Sequence, residues 1–533
     1  MTTGHRPMPI NKYEADTSSR QVARAATLVM ALFVVSRILG LLRQMAIGAM
    51  FGTGRDLDAC LNAARIPEMI FMVITGGALG SAFIPAFADC LVREDRDGAW
   101  RLASAVVNLT LIVLIAASGV TALFAPALVR ILLAPGFDAS QQALTVELLR
   151  LMLVSPVVFG VSGIVMGILN AHQHFLLPAL APSIYNLAII GGVLFLGPVA
   201  GVRGVALGMV AGSVLHLLVQ LPGLIRYRAR YIPTLGLNDP GVREVGRLML
   251  PRMLGTAITQ LNFVVNNSLA TMMGEGAVSA INYAFLIMLL PQGVFAQAVG
   301  TAAFPTFAVQ AARGEKDRMR STLAAILRVT IFLCLPATIG LITLGRPLVG
   351  LLFERGAFKE ASSEAVTWAL AFYALGLVGH AGLEIVARAF YALHDTATPV
   401  LVGGQAMVLN VILSLILPPL FRRAGWPPHA GLALANSVAT LLELAILLVL
   451  MRKRAGGIEG KETVRAASKA LLASLVMGAV LRGWVNALPN AHTLIVGCGG
   501  VLAGMLVYGI VALLLQADEL KQIAGLLRMY QRR

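Results

Sequence analysis

Charge is the first thing this sequence has little of. Asp, Glu, Lys and Arg make up 13% of its 533 residues, whereas apolar residues make up 58%. Soluble globular domains average about 25% charged and about 45–50% apolar residues. This composition excludes a string of soluble domains. The mean hydropathy of +0.81 instead predicts an integral membrane protein, whose spanning segments satisfy their own backbone hydrogen bonds.

Cysteines and catalytic motifs are also scarce. The four cysteines lie far apart and form no CxxC pair, so the sequence predicts neither a disulfide framework nor a metal site. It contains no nucleotide-binding GxxxxGK[ST] motif, no metal-ligand spacing and no nucleophile–base set. We therefore expect a protein that is not an enzyme and that uses no cofactor.

The first twenty residues lack the apolar h-region of a signal peptide. We expect residues 1–24 to form a disordered cytoplasmic tail. The net charge of +16 does not indicate nucleic-acid binding, because the basic residues lie between apolar runs and do not alternate with aromatics.

Long uncharged runs predict the architecture. Residues 151–202 and 104–129 contain no Asp, Glu, Lys or Arg, and they show no strict alternation of the kind that β-barrel strands have. We predict an all-α polytopic membrane protein of about fourteen transmembrane helices. The predicted spans lie near 25–51, 60–89, 102–125, 146–169, 178–198, 202–224, 245–273, 278–309, 322–344, 363–392, 398–419, 429–451, 465–487 and 492–515.

Basic residues cluster in alternate loops. The clusters lie near residues 20–24, 93–101, 226–247, 313–320, 452–461 and 521–533. The opposite loops carry far fewer, with Arg422 and Arg423 as the clear exception. Since positive residues gather in cytoplasmic loops, this pattern predicts that both termini are cytoplasmic.

The two halves of the chain repeat each other. The segment 80–88 reads like 300–308, at an offset of 220 positions, and Pro178 corresponds to Pro399 at an offset of 221. The repeat unit spans six helices, which predicts two parallel lobes, 25–226 and 245–452, with helices 13 and 14 appended over 465–515 and a cytoplasmic tail over 516–533. Two such lobes suit alternating access, with substrate bound between them near the midplane.

Ionisable residues inside predicted spans are costly, so each is a candidate for substrate binding. Span one carries Arg37 and Arg43, and Ser36 precedes the first of them. The other candidates are Asp58, Arg65, Glu68 and Arg252. Arg43 and Arg252 could instead snorkel to the membrane surface, and Arg65 could simply pair with Glu68 three residues on. Arginines at such sites favour an anionic substrate, because guanidinium matches phosphate oxygens.

Two further charged positions have a structural interpretation. Glu384 precedes Arg388 by four residues, which is the favourable order for an ion pair within one helix. Glu443 has no obvious local partner and is a weaker candidate for a polar cavity.

The motifs together resemble the MurJ (MviN) family, over roughly residues 25 to 450. They are Ser36-Arg37-Ile38-Leu39-Gly40, Arg43, Phe51-Gly52, Asp58-Ala59, Pro67, Ala82-Phe83-Ile84-Pro85, Ala134-Pro135-Gly136-Phe137, Pro291-Gln292-Gly293-Val294, Phe304-Pro305 and Phe353-Glu354-Arg355-Gly356-Ala357-Phe358. The resemblance implies a lipid II flippase of the multidrug/oligosaccharidyl-lipid/polysaccharide exporter superfamily, in the bacterial cytoplasmic membrane. It also implies that Arg37 and Arg43 face the substrate, and that Asp58 is the family's acidic residue of span two.

The sequence departs from the family at two arginine positions, which here are Phe71 and Phe285-Leu286. Two alternatives therefore stay open: a transporter of another polyprenyl-pyrophosphate-linked glycan or small amphiphile, and a non-transporting envelope scaffold. The expected partners are the lipid-linked peptidoglycan precursor, membrane lipids and the cell wall synthesis machinery, and we expect a monomer that binds no nucleic acid.

Overall fold

The computed structural model describes residues 12–74, 82–457, 459–489 and 491–520, and all regular elements there are helices. The α-helices are Lys12–Phe51, Arg55–Ile74, Ile84–Val92, Arg96–Leu123, Ala125–Leu128, Ala139–Met152, Val154–Ala171, Leu176–Gly191, Gly197–Ala200, Val202–Leu218, Leu221–Arg226, Pro240–Ala270, Ala277–Gln292, Ala298–Ala312, Lys316–Phe353, Glu360–Leu375, Leu377–Ala392, Ala397–Arg423, Pro428–Ala455, Gly460–Ala487 and Gly500–Leu514.

The predicted polytopic helical membrane protein is confirmed. Among the described residues, eleven helices are long and apolar enough to cross a membrane, or twelve if one bent pair is counted as a span. The two other predicted spans are the second, part of which lies outside the described residues at 75–81, and the seventh, which lies in helix Pro240–Ala270. The exact count of fourteen stays a prediction.

The first helix begins earlier than predicted. It starts at Lys12, so residues 12–24, which were expected to be a disordered tail, are helical. This stretch contains neither Gly nor Pro. Adding residues to an existing helix is far easier than nucleating a new one, so the helix of the apolar span continues back through this polar stretch to Lys12.

The tenth predicted span is broken at Gly376. Helices Glu360–Leu375 and Leu377–Ala392 meet there at 45°. The Ser437 hydroxyl donates a 2.7 Å hydrogen bond to the carbonyl of Phe372, an acceptor that a regular helix would offer to the amide of residue 376. A Cβ at position 376 would lie 2.6 Å from the Ser437 hydroxyl. Glycine therefore allows the close approach that bends the span.

Two turns in the first half of the chain recur at the corresponding positions of the second half, which supports the predicted duplication. Glu94 and Gly314, 220 positions apart, both have positive φ, as do Gln173 and His394, 221 apart. The residue after each one donates to a carbonyl five positions earlier. These bonds are Asp95 N to Cys90 O, 3.0 Å; Glu315 N to Gln310 O, 2.9 Å; His174 N to Leu169 O, 2.8 Å; and Asp395 N to Phe390 O, 3.0 Å. The boundaries of the two six-helix lobes stay a prediction.

The chain divides into two compact units. The first unit comprises Met1–Ile47, Ala63–Leu128 and Ala143–Gln260, and the second comprises Gly48–Asn62, Val129–Gln142 and Leu261–Arg533. The core of the first is built around Phe83, Phe87, Trp100, Ile164 and Ile168.

Two clusters of apolar side chains position helices of the second unit. One is centred on Phe307, Ile385 and Phe390. The other attaches the appended helices Gly460–Ala487 and Gly500–Leu514 to helix Lys316–Phe353. There the Tyr508 hydroxyl donates to the Phe332 carbonyl, 2.7 Å away. This bond satisfies a polar group inside an otherwise apolar contact.

Backbone contacts explain why Gly48–Asn62 belongs to the second unit. The amide of Ala357 donates to the carbonyl of Ala49 at 2.7 Å. Gly52 has φ +62°, and a Cβ there would lie 2.6 Å from the carbonyl oxygen of Ala357. Only glycine fits both the backbone conformation and the space.

Candidate functional site

Two of the predicted site residues, Ser36 and Arg43, lie on one face of the first helix together with Gly40. Ser36, Gly40 and Arg43 are spaced by four and three residues, which places them on the same side of a helix. The Asn186 amide donates to the Ser36 carbonyl at 3.3 Å, and a Cβ on Gly40 would lie 3.9 Å from the same amide. This face therefore packs against helix Leu176–Gly191.

Arg43 brings a cation into this contact. Its Nε is buried, and within the described part of the chain it has no hydrogen-bond partner. Arg43 and Glu68 both interact electrostatically with Tyr185, the neighbour of Asn186. The site thus has a guanidinium that retains hydrogen-bonding capacity, which an anion could use.

Arg65 and Glu68 join the group as the predicted ion pair. Arg65 Nη1 lies 3.2 Å from Glu68 Oε2, so that prediction is confirmed. Glu68 is half exposed, with 51% of its side chain accessible. The pair lies on helix Arg55–Ile74. A hydrogen bond thus links Ser36 to Asn186, an ion pair links Arg65 to Glu68, and electrostatic interactions link Arg43 and Glu68 to Tyr185. We call these residues the arginine group.

An aromatic cluster adjoins the arginine group. Phe71 lies 5.1 Å from Phe159, ring centroid to ring centroid. Phe159 in turn makes edge-to-face contacts with Tyr185 at 5.1 Å and with His216 at 5.2 Å. The position where the family resemblance implies an arginine is therefore occupied by an aromatic ring in contact with other rings.

Sequence reasoning missed a buried polar network behind these rings. Ser162 Oγ lies 2.7 Å from His216 Nδ1, and the Gln220 amide donates to Ser162 Oγ at 2.8 Å. Which of Ser162 and His216 donates the hydrogen depends on the tautomer of the imidazole. The spacing of His216 and Gln220 places them on one helix face, but nothing in the sequence indicates Ser162 as their partner.

The contact described for Arg37 does not involve the arginine group. Its guanidinium carbon lies 5.1 Å from the ring centroid of Phe33, one helical turn earlier, a cation–π distance. The side chain is exposed. Among the described residues it forms no ion pair. Arg252, the seventh candidate, lies in helix Pro240–Ala270, but its side chain is outside the described residues.

Asp58 has a different environment from the one expected. It is fully buried. Its carboxylate accepts from the Gly276 amide at 2.8 Å, the Ser279 amide at 2.8 Å and the Ser279 hydroxyl at 2.7 Å. These donors begin helix Ala277–Gln292, whose N-terminus favours an anion. Both oxygens are occupied, which favours a structural role over the predicted contact with substrate.

The second unit contains the predicted Glu384–Arg388 pair. Arg388 Nη2 lies 2.7 Å from Glu384 Oε1, which confirms the ion pair. Arg388 Nη1 also donates to the Glu384 carbonyl at 2.9 Å. A Cβ on Gly300 would lie 2.3 Å from that nitrogen. The glycine of the repeated motif thus makes room for the guanidinium.

Phe285, which with Leu286 stands where the family resemblance implies an Asp-Arg pair, is also in an aromatic cluster. Its ring lies 5.3 Å from Tyr373, 5.9 Å from Phe263 and 6.0 Å from His380. His380 Nε2 lies 3.0 Å from Asn436 Oδ1. Phe71 in the first unit and Phe285 in the second therefore both lie among aromatic rings.

The fold defines a class of membrane transporter. A solved inward-facing multidrug resistance MATE family transporter of the MOP superfamily aligns with a TM-score of 0.66 and 17% identity, over 82% of this chain and 99% of that one. This likeness establishes the fold. A solved structure titled "Lipid II flippase MurJ, inward closed conformation" aligns with a TM-score of 0.77 and 26% identity, over 92% of this chain and 99% of that one.

Sequence comparison then identifies the family. A family model described as "Lipid II flippase MurJ" matches residues 47–496. The lipid II flippase MurJ of Burkholderia cenocepacia is 32% identical, over 81% of this chain and 84% of its own length. A protein of Rhizobium tropici named "Probable lipid II flippase MurJ" is 30% identical over 92% and 93% of the two chains. The chain belongs to the MurJ family, as its motifs predicted.

Proposed function

We propose that this protein moves lipid II, the undecaprenyl-pyrophosphate-linked peptidoglycan precursor, from the inner to the outer leaflet of the bacterial cytoplasmic membrane. Membership of the MurJ family supports the substrate class. The observation that carries the proposal in the structure is Arg43, whose buried Nε lacks a hydrogen-bond partner among the described residues.

The arginine group suits a pyrophosphate. Guanidinium donors form short, charge-assisted hydrogen bonds with phosphate oxygens, often two at once. Such a bond would satisfy Arg43 and offset the cost of burying its Nε without a partner. Glu68, already paired with Arg65 at 3.2 Å, limits the net positive charge. The site would therefore bind the phosphate tightly enough to capture it and weakly enough to release it.

The transport mechanism follows from the duplication. We propose that the two predicted six-helix lobes rock against each other and expose the substrate first to the cytoplasmic side and then to the outer side. Both termini would be cytoplasmic. Cell wall synthesis enzymes would supply the precursor on one side and consume it on the other, and the protein would act as a monomer.

A second candidate function is transport of another polyprenyl-pyrophosphate-linked glycan. The observation that favours it is the pair of aromatic clusters around Phe71 and Phe285. Aromatic faces pack well against sugar rings and polyprenyl chains, whereas the implied arginines would bind anionic groups. The head group accepted by this site would then be less anionic than the one the family resemblance implies.

Complementation separates these functions. The gene is supplied to cells in which the resident lipid II flippase is depleted, and growth is followed together with the labelled precursor that reaches the outer leaflet. We expect growth and outward labelling to be restored. If the protein reaches the membrane in normal amounts but restores neither, lipid II is not its substrate, and the same labelling with other lipid-linked glycans tests the second candidate.

A further inference from the structure

We propose that the end of helix Ala397–Arg423 forms a binding site for one anionic glycerophospholipid, with Arg422 and Arg423 on the phosphate and an apolar ridge along the acyl chain. This site is separate from the arginine group and does not depend on which substrate is transported.

The turn after the helix fixes the polar end of this site. Gly425 has φ +76°, its amide donates to the Arg422 carbonyl at 3.2 Å, and the Trp426 amide donates to the Phe421 carbonyl at 2.9 Å. This is the hydrogen-bond pattern of a Schellman cap. It folds Trp426 back onto the last helical turn, beside the two arginines.

Four aromatic rings hold that end in place. Trp426 lies 5.3 Å from Phe421 and 5.8 Å from Trp368. Phe372 closes the cluster, 5.0 Å from Phe421. Trp426 is nevertheless 45% exposed. Partly exposed tryptophans prefer the level of the lipid head groups, so the cluster places the end of the helix at that level.

The two arginines are available to a ligand. Both are exposed, and in the part of the chain that the structure describes neither forms an ion pair or a side-chain hydrogen bond. They are also the exception to the alternation of basic loops. The helix dipole stabilises a cation at a helix C-terminus, which accounts for one arginine more readily than for two. Each guanidinium can donate to the oxygens of a phosphodiester, which carries one negative charge.

An exposed apolar ridge runs down from the arginines. Ile412, Ile416 and Leu420 are 47%, 50% and 48% exposed, and with Arg423 they are spaced by four, four and three residues along one helix face. From Ile412 to Arg423 the ridge is about 16 Å long, about half of the ~30 Å hydrocarbon thickness. That is the reach of one acyl chain. A free phosphate would leave the ridge unused, so the shape favours a whole phospholipid.

Tryptophan quenching by brominated lipids tests the proposal. The full chain is reconstituted in phosphatidylcholine vesicles that contain a small fraction of phosphatidylglycerol or phosphatidylcholine with brominated acyl chains. We expect brominated phosphatidylglycerol to quench more at equal mole fraction. The excess should shrink in Trp426→Phe, which leaves Trp368 as a second reporter 5.8 Å from the lost ring. It should disappear in Arg422→Gln/Arg423→Gln and shrink in high salt.

The matched control removes two cations from another helix end. Arg452→Gln/Lys453→Gln changes the last turn of helix Pro428–Ala455 and should leave the excess quenching intact. Equal quenching by the two brominated lipids in the unmodified protein would overturn the proposal. So would excess quenching that persists without Arg422 and Arg423. Displacement of the lipid by polyprenyl pyrophosphate but not by unlabelled phosphatidylglycerol would show that the site belongs to the transported lipid instead.

Discussion

At the scale of single residues, the surroundings of a charge decide its role. Arg65 lies 3.2 Å from Glu68 on its own helix, whereas Arg388 combines Glu384 with a backbone carbonyl. Arg43 differs from both, because among the described residues it forms no ion pair, and its buried Nε has no hydrogen-bond partner there. An arginine in this state is the one most affected by an incoming anion.

Arg43→Lys should therefore fold and insert normally but transport poorly. Lysine keeps the charge and loses the planar fork that grips two phosphate oxygens. Since a hydrogen bond to a charged group contributes about 1.5–3 kcal/mol, the outward labelling of lipid II, normalised to protein abundance, should fall roughly 10- to 100-fold. Arg93→Lys, at an exposed pair with Asp89, is the control and should change nothing. Normal transport by Arg43→Lys would refute the proposed contact.

Asp58→Asn should destabilise the fold. The amide nitrogen of asparagine cannot accept one of the hydrogen bonds now given by Gly276 and Ser279, and an unsatisfied buried group costs about 1–3 kcal/mol. Thermal unfolding in detergent measures the loss. Asp56→Asn, exposed in the same first helical turn, should have little effect. Unchanged stability combined with lost transport would instead show that Asp58 contacts substrate.

At the scale of helices, local spacing explains which interactions the sequence could predict. Arg65–Glu68 and Glu384–Arg388 were predictable because residues three and four apart on a helix are neighbours. The cap that Asp58 gives to Ser279, 221 positions away, could not be predicted in the same way. The Asn186–Ser36 contact likewise spans 150 positions. Both depend on how helices pack, and apolar periodicity leaves that open.

The Glu384–Arg388 pair can be tested as a unit. Arg388→Ala leaves the Glu384 carboxylate without its partner, and breaking a buried pair costs about 3–5 kcal/mol. The cost should be smaller here, because the two side chains are 22% and 30% exposed. We expect less folded protein in the membrane for Arg388→Ala than for Glu384→Ala/Arg388→Ala. Normal abundance of Arg388→Ala combined with lost transport would assign the pair to the transport mechanism.

At the scale of the whole molecule, composition and charge alternation predicted the class of protein, and the described helices confirm it. The grouping of Gly48–Asn62 with the second unit was not predictable. It depends on the Gly52–Ala357 approach, which joins parts of the chain about 300 residues apart and leaves no periodic signal in the sequence.

The orientation of the molecule is a prediction of its own. The alternation of basic loops places residue 275 on the outer side and residue 316 on the cytoplasmic side. Reporter fusions at Glu275 and Lys316 should give those two results, with a fusion beyond residue 516 as a further cytoplasmic point. The same alternation places the Arg422–Arg423 site in the outer leaflet. The opposite result at both fusion sites would invert the topology and place that site in the inner leaflet.

The two duplicated turns also have a consequence for the origin of the chain. Glu94 and Gly314 adopt the same left-handed conformation, although only glycine adopts it freely. The backbone of the turn has thus outlasted the residues that favour it, as expected when one ancestral gene is doubled and its copies diverge. A unit with an even number of helices needs no change of insertion direction when it is fused to itself.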